Sequence, residues 1–300
     1  ALYPYLINSI SSFGYKLKSD YFDIQGAYGY NGVAHSKCDN AFKKSFHNEF
    51  NDYCHDKKII AEFIRYNPII KNHNFSKNFY ELELNRKTVF LDLSKTYDEI
   101  FSNQFSSKNR NMINKGSKTL NIEFSNKIED ILRFKKMYTQ TMNRINATDY
   151  YYFSEDFFLN ISNFLADQFY LITAYDKVSG DPAGSIMIFI YNSKCHYFLS
   201  ARSNNCKNNS VNNYLLSCAI KFSIKKNCNT FHFGGGNSLE NNDPLFKFKK
   251  NFSQETLDFY ISKRIIDKEV YREVCGIWEK ENQDKIQSYQ NQLLKYHQVN

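Results

Sequence analysis

Phe231-His232-Phe233-Gly234-Gly235-Gly236-Asn237, followed by Asp243-Pro244-Leu245-Phe246-Lys247-Phe248-Lys249-Lys250-Asn251-Phe252, is the stretch that decides how this 300-residue chain reads. Residues 230–233 are β-branched and aromatic, so they predict a short strand. A glycine run placed straight after a strand exposes backbone N–H groups that can hold a phosphate or an oxyanion. The spacing is neither G-x-x-x-x-G-K-[ST] nor G-x-G-x-x-G, so it gives no support to nucleotide binding by those two routes. Downstream, Phe and Lys alternate. That alternation predicts an extended segment with Phe246 and Phe248 on one side and Lys247 and Lys249 on the other.

Working outward, the pattern alternates helices with antiparallel strands. Residues 36–57 predict a helix, with Asp39 as its cap and Phe42, Phe46, Phe50 and Tyr53 recurring at four- and three-residue spacing. Residues 59–66 predict a strand that ends at Asn67-Pro68. Residues 79–84 and 88–93 read as a hairpin joined through Asn85-Arg86. Residues 94–118 read as one basic helix carrying Lys108, Arg110, Lys115 and Lys118, and a strand follows over 119–124. Helices are predicted over 128–144, with Ile131, Phe134, Tyr138 and Met142 as its apolar stripe, and over 154–167, with Ser154 opening a capping box. Three strands (169–175, 183–191, 194–200), a helix over 210–226, a strand over 256–264 and one or two C-terminal helices complete the chain. Interleaved helices and hairpins predict an α/β or α+β fold with mixed sheets. The second half, from about residue 119, echoes the first.

Composition narrows the function classes. With 42% hydrophobic and 17% aromatic residues the chain carries ample buryable surface, which excludes a disordered tail. Mean hydropathy is −0.58 and no apolar run approaches the roughly 20 residues of a membrane span. The opening Ala1-Leu2-Tyr3-Pro4-Tyr5 does not read as a signal peptide. Thirty-nine Lys and Arg against 31 Asp and Glu leave +8, a modest argument for an anionic partner such as nucleic acid, nucleotide or a phospholipid surface. Seven cysteines form no C-x-x-C pair and predict free thiols in a reducing cytosol. His47 and His55 share a helix face without a third ligand, so no metal site is expected.

Two further segments have ligand-facing chemistry. Tyr28-Gly29-Tyr30-Asn31-Gly32 is a glycine-punctuated aromatic loop, offering stacking faces and hydroxyls. Glu62-Phe63-Ile64-Arg65-Tyr66-Asn67-Pro68 delivers an arginine to a strand end, where it could clamp a phosphate or carboxylate. In their order and separation, these segments and the glycine–lysine stretch resemble the FemAB/FemX-like acyltransferases of the GNAT superfamily. The resemblance also runs through Thr141-Met142-Asn143-Arg144, Asp149-Tyr150-Tyr151-Tyr152-Phe153-Ser154 and His196-Tyr197-Phe198-Leu199-Ser200, covering nearly the whole chain. The Gly-Gly-Gly to Phe-Lys-x-x-Phe segment is its most specific part.

The resemblance implies two tandem GNAT-like modules (residues 1–118 and 119–266) with the acceptor held between them, and a helical tail (267–300) packing back on the first. It implies transfer of an aminoacyl or acyl group to an amine of a peptidoglycan or surface-polysaccharide precursor, nucleotide- or lipid-linked. By the same resemblance Arg144 grips the acceptor's phosphate, and Lys249 lies near the reacting ester. The acceptor site is expected to include Tyr28, Tyr30, Arg65, Arg144 and Tyr151. The donor side is expected to include Gly234, Gly235, Gly236, Asn237 and Phe248, with Lys249 as the catalytic residue. Aminolysis of an activated ester requires a neutral amine and a stabilised oxyanion, which a lysine or backbone N–H can supply.

The sequence departs from the family at two places. Asn67 stands where relatives often carry Asp or His before the proline. The segment before the helix at 210 reads Arg202-Ser203-Asn204-Asn205-Cys206-Lys207-Asn208-Asn209-Ser210, without the glycines with which GNAT enzymes cradle the CoA pyrophosphate. Aminoacyl-tRNA is therefore placed ahead of acyl-CoA as co-substrate, with no tightly bound cofactor. Glu62, Asp149 and His232 stay open as general bases. The expectation is a cytoplasmic N-acyltransferase, with contact at a membrane surface allowed. The competing readings are a CoA-dependent sugar N-acetyltransferase and a non-catalytic RNA- or glycan-binding module of the same fold.

Overall fold

The computed structural model describes residues 1–165, 167–238, 240 and 242–299. In chain order the elements are β1 (Leu6–Ser9), β2 (Phe22–Gln25), α1 (Asn40–Asp56), β3 (Ile59–Arg65), α2 (His73–Ser76), β4 (Glu83–Asp92), α3 (Tyr97–Asn103), α4 (Ser107–Thr119) and β5 (Leu120–Ser125). They continue with α5 (Ile128–Arg144), α6 (Glu155–Leu165), β6 (Phe169–Asp176), β7 (Pro182–Tyr191), β8 (Lys194–Arg202) and α7 (Val211–Lys225). The last are β9 (Thr230–Gly235), α8 (Pro244–Lys250), β10 (Thr256–Ile265), α9 (Lys268–Glu281) and α10 (Ile286–Tyr289).

These elements form two compact units, Ala1–Arg86 with Asp258–Asn300, and Lys87–Leu257. Residues 87–118, expected with the first module, therefore group with the second unit. Each unit is a mixed sheet flanked by helices. In the first unit β1 pairs antiparallel with β2, β2 parallel with β3, and β3 antiparallel with β10. Strand β3 is buried on both faces. Ile60 and Ala61 pack with Val270, Val274 and Trp278 of α9 and with Tyr296, whereas Ile59 packs with Ile24 and Cys54 of α1.

In the second unit the strand order is β4-β9-β8-β7-β6-β5, antiparallel throughout except for β8 with β9. One face carries the larger core, in which Ile100 of α3, Ile113 of α4 and Leu215, Leu216 and Ile220 of α7 meet Val89, Ile186, Ile188 and Phe231. The stripe Ile131, Phe134, Tyr138 and Met142 of α5 meets Phe158, Leu171, Met187 and Leu199 on the other. A sheet covered on both sides by helices is the way an α/β chain hides both strand faces.

Three predicted elements differ. The expected hairpin at Asn85-Arg86 is one continuous strand, β4. A two-residue hairpin turn needs positive φ, and neither residue adopts it. The single basic helix over 94–118 is two helices. Ser106 interrupts it, its hydroxyl accepting from Asn109 N at 3.2 Å and its own N–H donating to Asn251 O at 2.9 Å. The Phe-Lys alternation after Pro244 is not a strand but helix α8. Asp243 caps it, accepting from Phe246 N at 2.7 Å, and Pro244 occupies the first helical turn, so the local cap overrides the alternation. The predicted helix end at residues 166–167 reaches Ala166, which lies outside the described residues. All seven cysteines are free thiols.

Candidate active site

In the second unit, the parallel pairing of β8 with β9 runs over three positions only, Lys194, Cys195 and His196 against Thr230, Phe231 and His232. Both strands continue beyond that point, β8 to Arg202 and β9 to Gly235. The site is assembled just past the place where they part. Lys249, reaching from α8, is 6% exposed, and its Nζ donates to Gly235 O at 2.6 Å. The same ammonium lies 5.8 Å from the ring centre of Tyr197, the first β8 residue beyond the pairing. It therefore touches both strands. Gly234 has φ of +77° where the register of β9 against β4 shifts, a backbone conformation that glycine takes without strain.

Asp243 organises the glycine run. One carboxylate oxygen accepts from Asn237 N at 2.8 Å and Ser238 N at 2.9 Å, and the other caps α8. Burial works to raise the carboxyl's pKa, but the N–H groups of Phe246, Ser238 and Asn237 outweigh it and hold the group below its ordinary range. Gly236 is required here for space: a Cβ would meet Asp243 Oδ1 at 2.4 Å. Phe248 faces away from this cluster into the main core, 5.8 Å from the ring of Phe252.

His196 and His232 are opposite each other at the last paired position, with ring centres 5.3 Å apart. Burial pushes His196 down to about 4 and His232 well below the ordinary histidine value, His196 and the Lys249 ammonium adding to the effect on His232. Both are neutral imidazoles at neutral pH. Neither His196 nor Tyr197 was singled out as a site residue by the sequence reading. Their signal was the parallel register of two strands distant in sequence, which only the fold reveals.

Arg144 and Tyr151 occupy another part of the second unit. Arg144, at the end of α5, donates to Arg202 O at 3.3 Å and to Asn204 Oδ1. Tyr151 ends a 3-10 turn, is 38% exposed and has its carbonyl bonded by Tyr138 OH at 3.0 Å. Asp149 opens the same turn and is exposed. The loop 203–209 is closed on itself. Arg202 Nη2 donates to Cys206 O at 3.0 Å and Asn208 O at 3.1 Å, and Asn208 Oδ1 accepts from Ser210 N at 3.0 Å. None of its residues takes positive φ.

Tyr28, Tyr30 and Arg65 belong to the first unit. Their loop is built around Asn31, which exchanges two 2.7 Å bonds with the backbone of Arg65 at the end of β3. Gly29 and Gly32 take φ of +109° and +91° there. Tyr30 packs edge-on to Phe259 at 5.2 Å. Burial pushes its phenol up to about 12, against the pull of Arg65 and of Arg86. Arg86, read from sequence as a turn residue, is thus a second cation beside Tyr30. Glu62 is fully buried, ion-paired with Arg264 and accepting from Tyr3 OH at 2.6 Å, which makes it part of the sheet's support. His47 is surrounded by Phe75, Phe79 and Tyr80. Among the described residues no group of three or more His, Cys, Asp or Glu is placed to hold a metal ion.

Two parallel strands that part, with a lysine-bearing helix at the opening, lie within a segment that a comparison of sequences also singles out. Residues 103–250 match the acetyltransferase (GNAT) domain family. The matched residues all lie within the second unit. No curated protein matches the chain by sequence. Among solved structures the fold is similar to that of FemX, with a TM-score of 0.64 at 15% identity, covering 85% of this chain and 83% of that one. It is also similar to L-PGS from Bacillus licheniformis, with a TM-score of 0.57 at 13% identity, over 81% of this chain and 77% of that one. A third is the C-terminal domain of a putative lysylphosphatidylglycerol synthetase from Agrobacterium fabrum, with a TM-score of 0.54 at 11% identity, over 83% and 79%. The fold is thus FemX-like, and the enzyme is an acyltransferase. Among the described residues no helix is long and apolar enough to cross a membrane.

Proposed function

We propose that this acyltransferase is an N-aminoacyltransferase, drawing on aminoacyl-tRNA and acting on an amino group of a nucleotide- or lipid-linked cell-envelope precursor. The observation that carries this reading is Lys249 Nζ, held on Gly235 O where β8 and β9 part. An ammonium fixed at that opening is placed to stabilise the oxyanion that forms when an amine attacks an ester carbonyl. In the step, the new N–C bond forms, the ester C–O bond to the donor's ribose breaks, and the amine's proton finishes on the leaving oxygen. Of the three candidate bases, His232 is the one beside Lys249, and as a neutral imidazole it is an acceptor.

The donor assignment is supported by the loop 203–209. Arg202 draws the carbonyls of Cys206 and Asn208 inward, Asn208 Oδ1 takes Ser210 N, and the loop lacks the positive-φ glycines with which a backbone approaches a pyrophosphate. On the acceptor side, Arg144 is assigned to the phosphate, with Tyr151 beside it in sequence. Within the first unit, Arg65, Tyr28 and Tyr30 form a ligand-facing group of their own, and Arg86 joins them through its position beside Tyr30. The name of one similar solved protein, a putative lysylphosphatidylglycerol synthetase, agrees with aminoacyl transfer.

Steady-state kinetics on Lys249→Met test the central assignment. The expected result is a fall in kcat of about 10²–10³ with KM for the acceptor within about twofold. Unchanged turnover would remove Lys249 from the catalytic machinery, whereas acceptor binding without any turnover in wild type would favour the non-catalytic binding module. Calorimetry with acetyl-CoA and with tRNA tests the donor: saturable micromolar CoA binding without any tRNA heat would transfer the assignment to acyl-CoA and a sugar N-acetyltransferase.

A further inference from the structure

Helix α4 is oriented by what it buries. Asn109, Ile113 and Gly116 form its inner stripe, and Asn213 of α7 donates to Asn109 Oδ1 at 2.8 Å. At Gly116 the packing is so close that a Cβ would meet Tyr214 Cβ of α7 at 2.5 Å, so the helix has one rotational setting. That setting turns Lys108, Asn111, Lys115 and Lys118 outward at three- and four-residue steps along one exposed face. Ten residues of helix carry the stripe over about 15 Å. The sequence Ser107–Thr119 contains no acidic residue, and among the described residues these three lysines form no ion pair. Arg110, the fourth cation of the helix, is used locally, donating to Ser102 O at 3.1 Å and Phe105 O at 2.5 Å.

Both ends of the stripe are tied to neighbouring pieces of the candidate site. At its start, Asn109 Nδ2 donates to Asn251 O at 3.0 Å, two residues beyond Lys249. At its end, Asn208 Nδ2 donates to Thr119 Oγ1 at 2.9 Å, which brings the exposed Lys207 alongside, and Lys177 Nζ caps Ser117 O at 2.8 Å. A row of three lysines and one amide, leading toward the helix that carries Lys249, has the chemistry of a track for a polyanionic backbone.

We propose that this face of α4, with Lys177 and Lys207, is the docking surface for the RNA backbone of the donor. The inference rests on the aminoacyl-tRNA reading above. Lysines neutralise phosphates and amides bond phosphate or ribose oxygens. A lipid surface fits less well, because the outward positions 107, 108, 111, 114, 115, 117 and 118 are all polar and none could enter the acyl boundary.

The test is fluorescence anisotropy of labelled deacylated tRNA against the full chain from 50 to 200 mM salt. It compares wild type, Lys115→Gln, the triple variant Lys108→Gln/Lys115→Gln/Lys118→Gln and the corresponding triple arginine variant. Each lysine lost is expected to reduce the slope of log Kd on log salt by about 0.7–0.9, hence by about 2.1–2.7 for the triple glutamine variant, with the arginine variant keeping the wild-type slope. Turnover on a minimal donor, an aminoacylated adenosine, is expected to be unchanged in every variant, which also verifies that each has folded. A wild-type slope in the glutamine variants overturns the docking surface while leaving the donor reading intact. Absence of saturable tRNA binding by wild type overturns both. Loss of binding to phosphatidylglycerol vesicles with tRNA binding unaltered would assign the stripe to a membrane surface instead.

Discussion

Lys249 and Gly236 show how much of the candidate site depends on single atoms. The lysine is buried yet polar at its tip, and a buried cation is tolerated only where it is hydrogen-bonded. Gly235 O and the face of Tyr197 satisfy that need. Gly236 acts through absence. Its missing Cβ is the space that Asp243 uses to bond the N–H groups of Asn237 and Ser238. Gly236→Ala is expected to displace that carboxylate, costing about 1–3 kcal/mol in urea unfolding and at least tenfold in turnover. Wild-type activity in that variant would mean that the glycine run is not part of the site. From sequence, the glycines and Lys249 were visible as a motif. The role of Asp243 was not, because its partners lie on both sides of it and become neighbours only when the chain folds back into α8.

At the scale of elements, packing and caps decided between readings that periodicity left equal. The segment after Pro244 alternates like a strand, but Asp243 and Pro244 supply a helix start, and a seven-residue helix is the outcome. The hairpin at Asn85-Arg86 failed for the opposite reason: no residue there takes the backbone conformation a tight turn requires. Helix α4 shows the same logic in tertiary form. Its contact with α7 at Gly116 sets which face carries the lysines, so Gly116→Ala is expected to force the two helices apart. A loss of about 1–3 kcal/mol is expected in chemical denaturation. An unaltered midpoint would show that Tyr214 can yield and that the rotational setting of α4 is not fixed by this contact. Long apolar stripes, by contrast, were legible. The predicted bounds of α5 coincide with the observed helix, because Ile131, Phe134, Tyr138 and Met142 can be buried together only on a helix.

For the whole molecule, buried histidines make stability depend on mild acid. Burial holds His47 and His196 down at about 4, and His232 well below the ordinary histidine value. Below about pH 6.5 such a group takes a proton in the unfolded chain but not in the folded one, so the unfolded state binds more protons and stability falls as pH drops toward about 4. The urea midpoint is therefore expected to decline between pH 7 and pH 5, and His196→Asn to decline less steeply; a flat midpoint in wild type would contradict the buried neutral state. The +8 net charge, uninformative as a total, gains meaning once the lysines of α4 are seen on one face. What the sequence by itself determined was the run of helices and strands from β5 to α7, the mixed α/β class and the glycine–lysine motif. Those depend on local periodicity, caps and residue chemistry, which are properties of short windows. What only the tertiary structure decided was the pairing of His196 with His232, the grip of Asp243 on the glycine run, the cation Arg86 beside Tyr30, and the outward face of α4. Apart from the Asp243 grip, which is closed within a few residues by the fold-back into α8, each depends on strands or helices distant in the chain meeting in one register, and close packing rather than local preference selects that register.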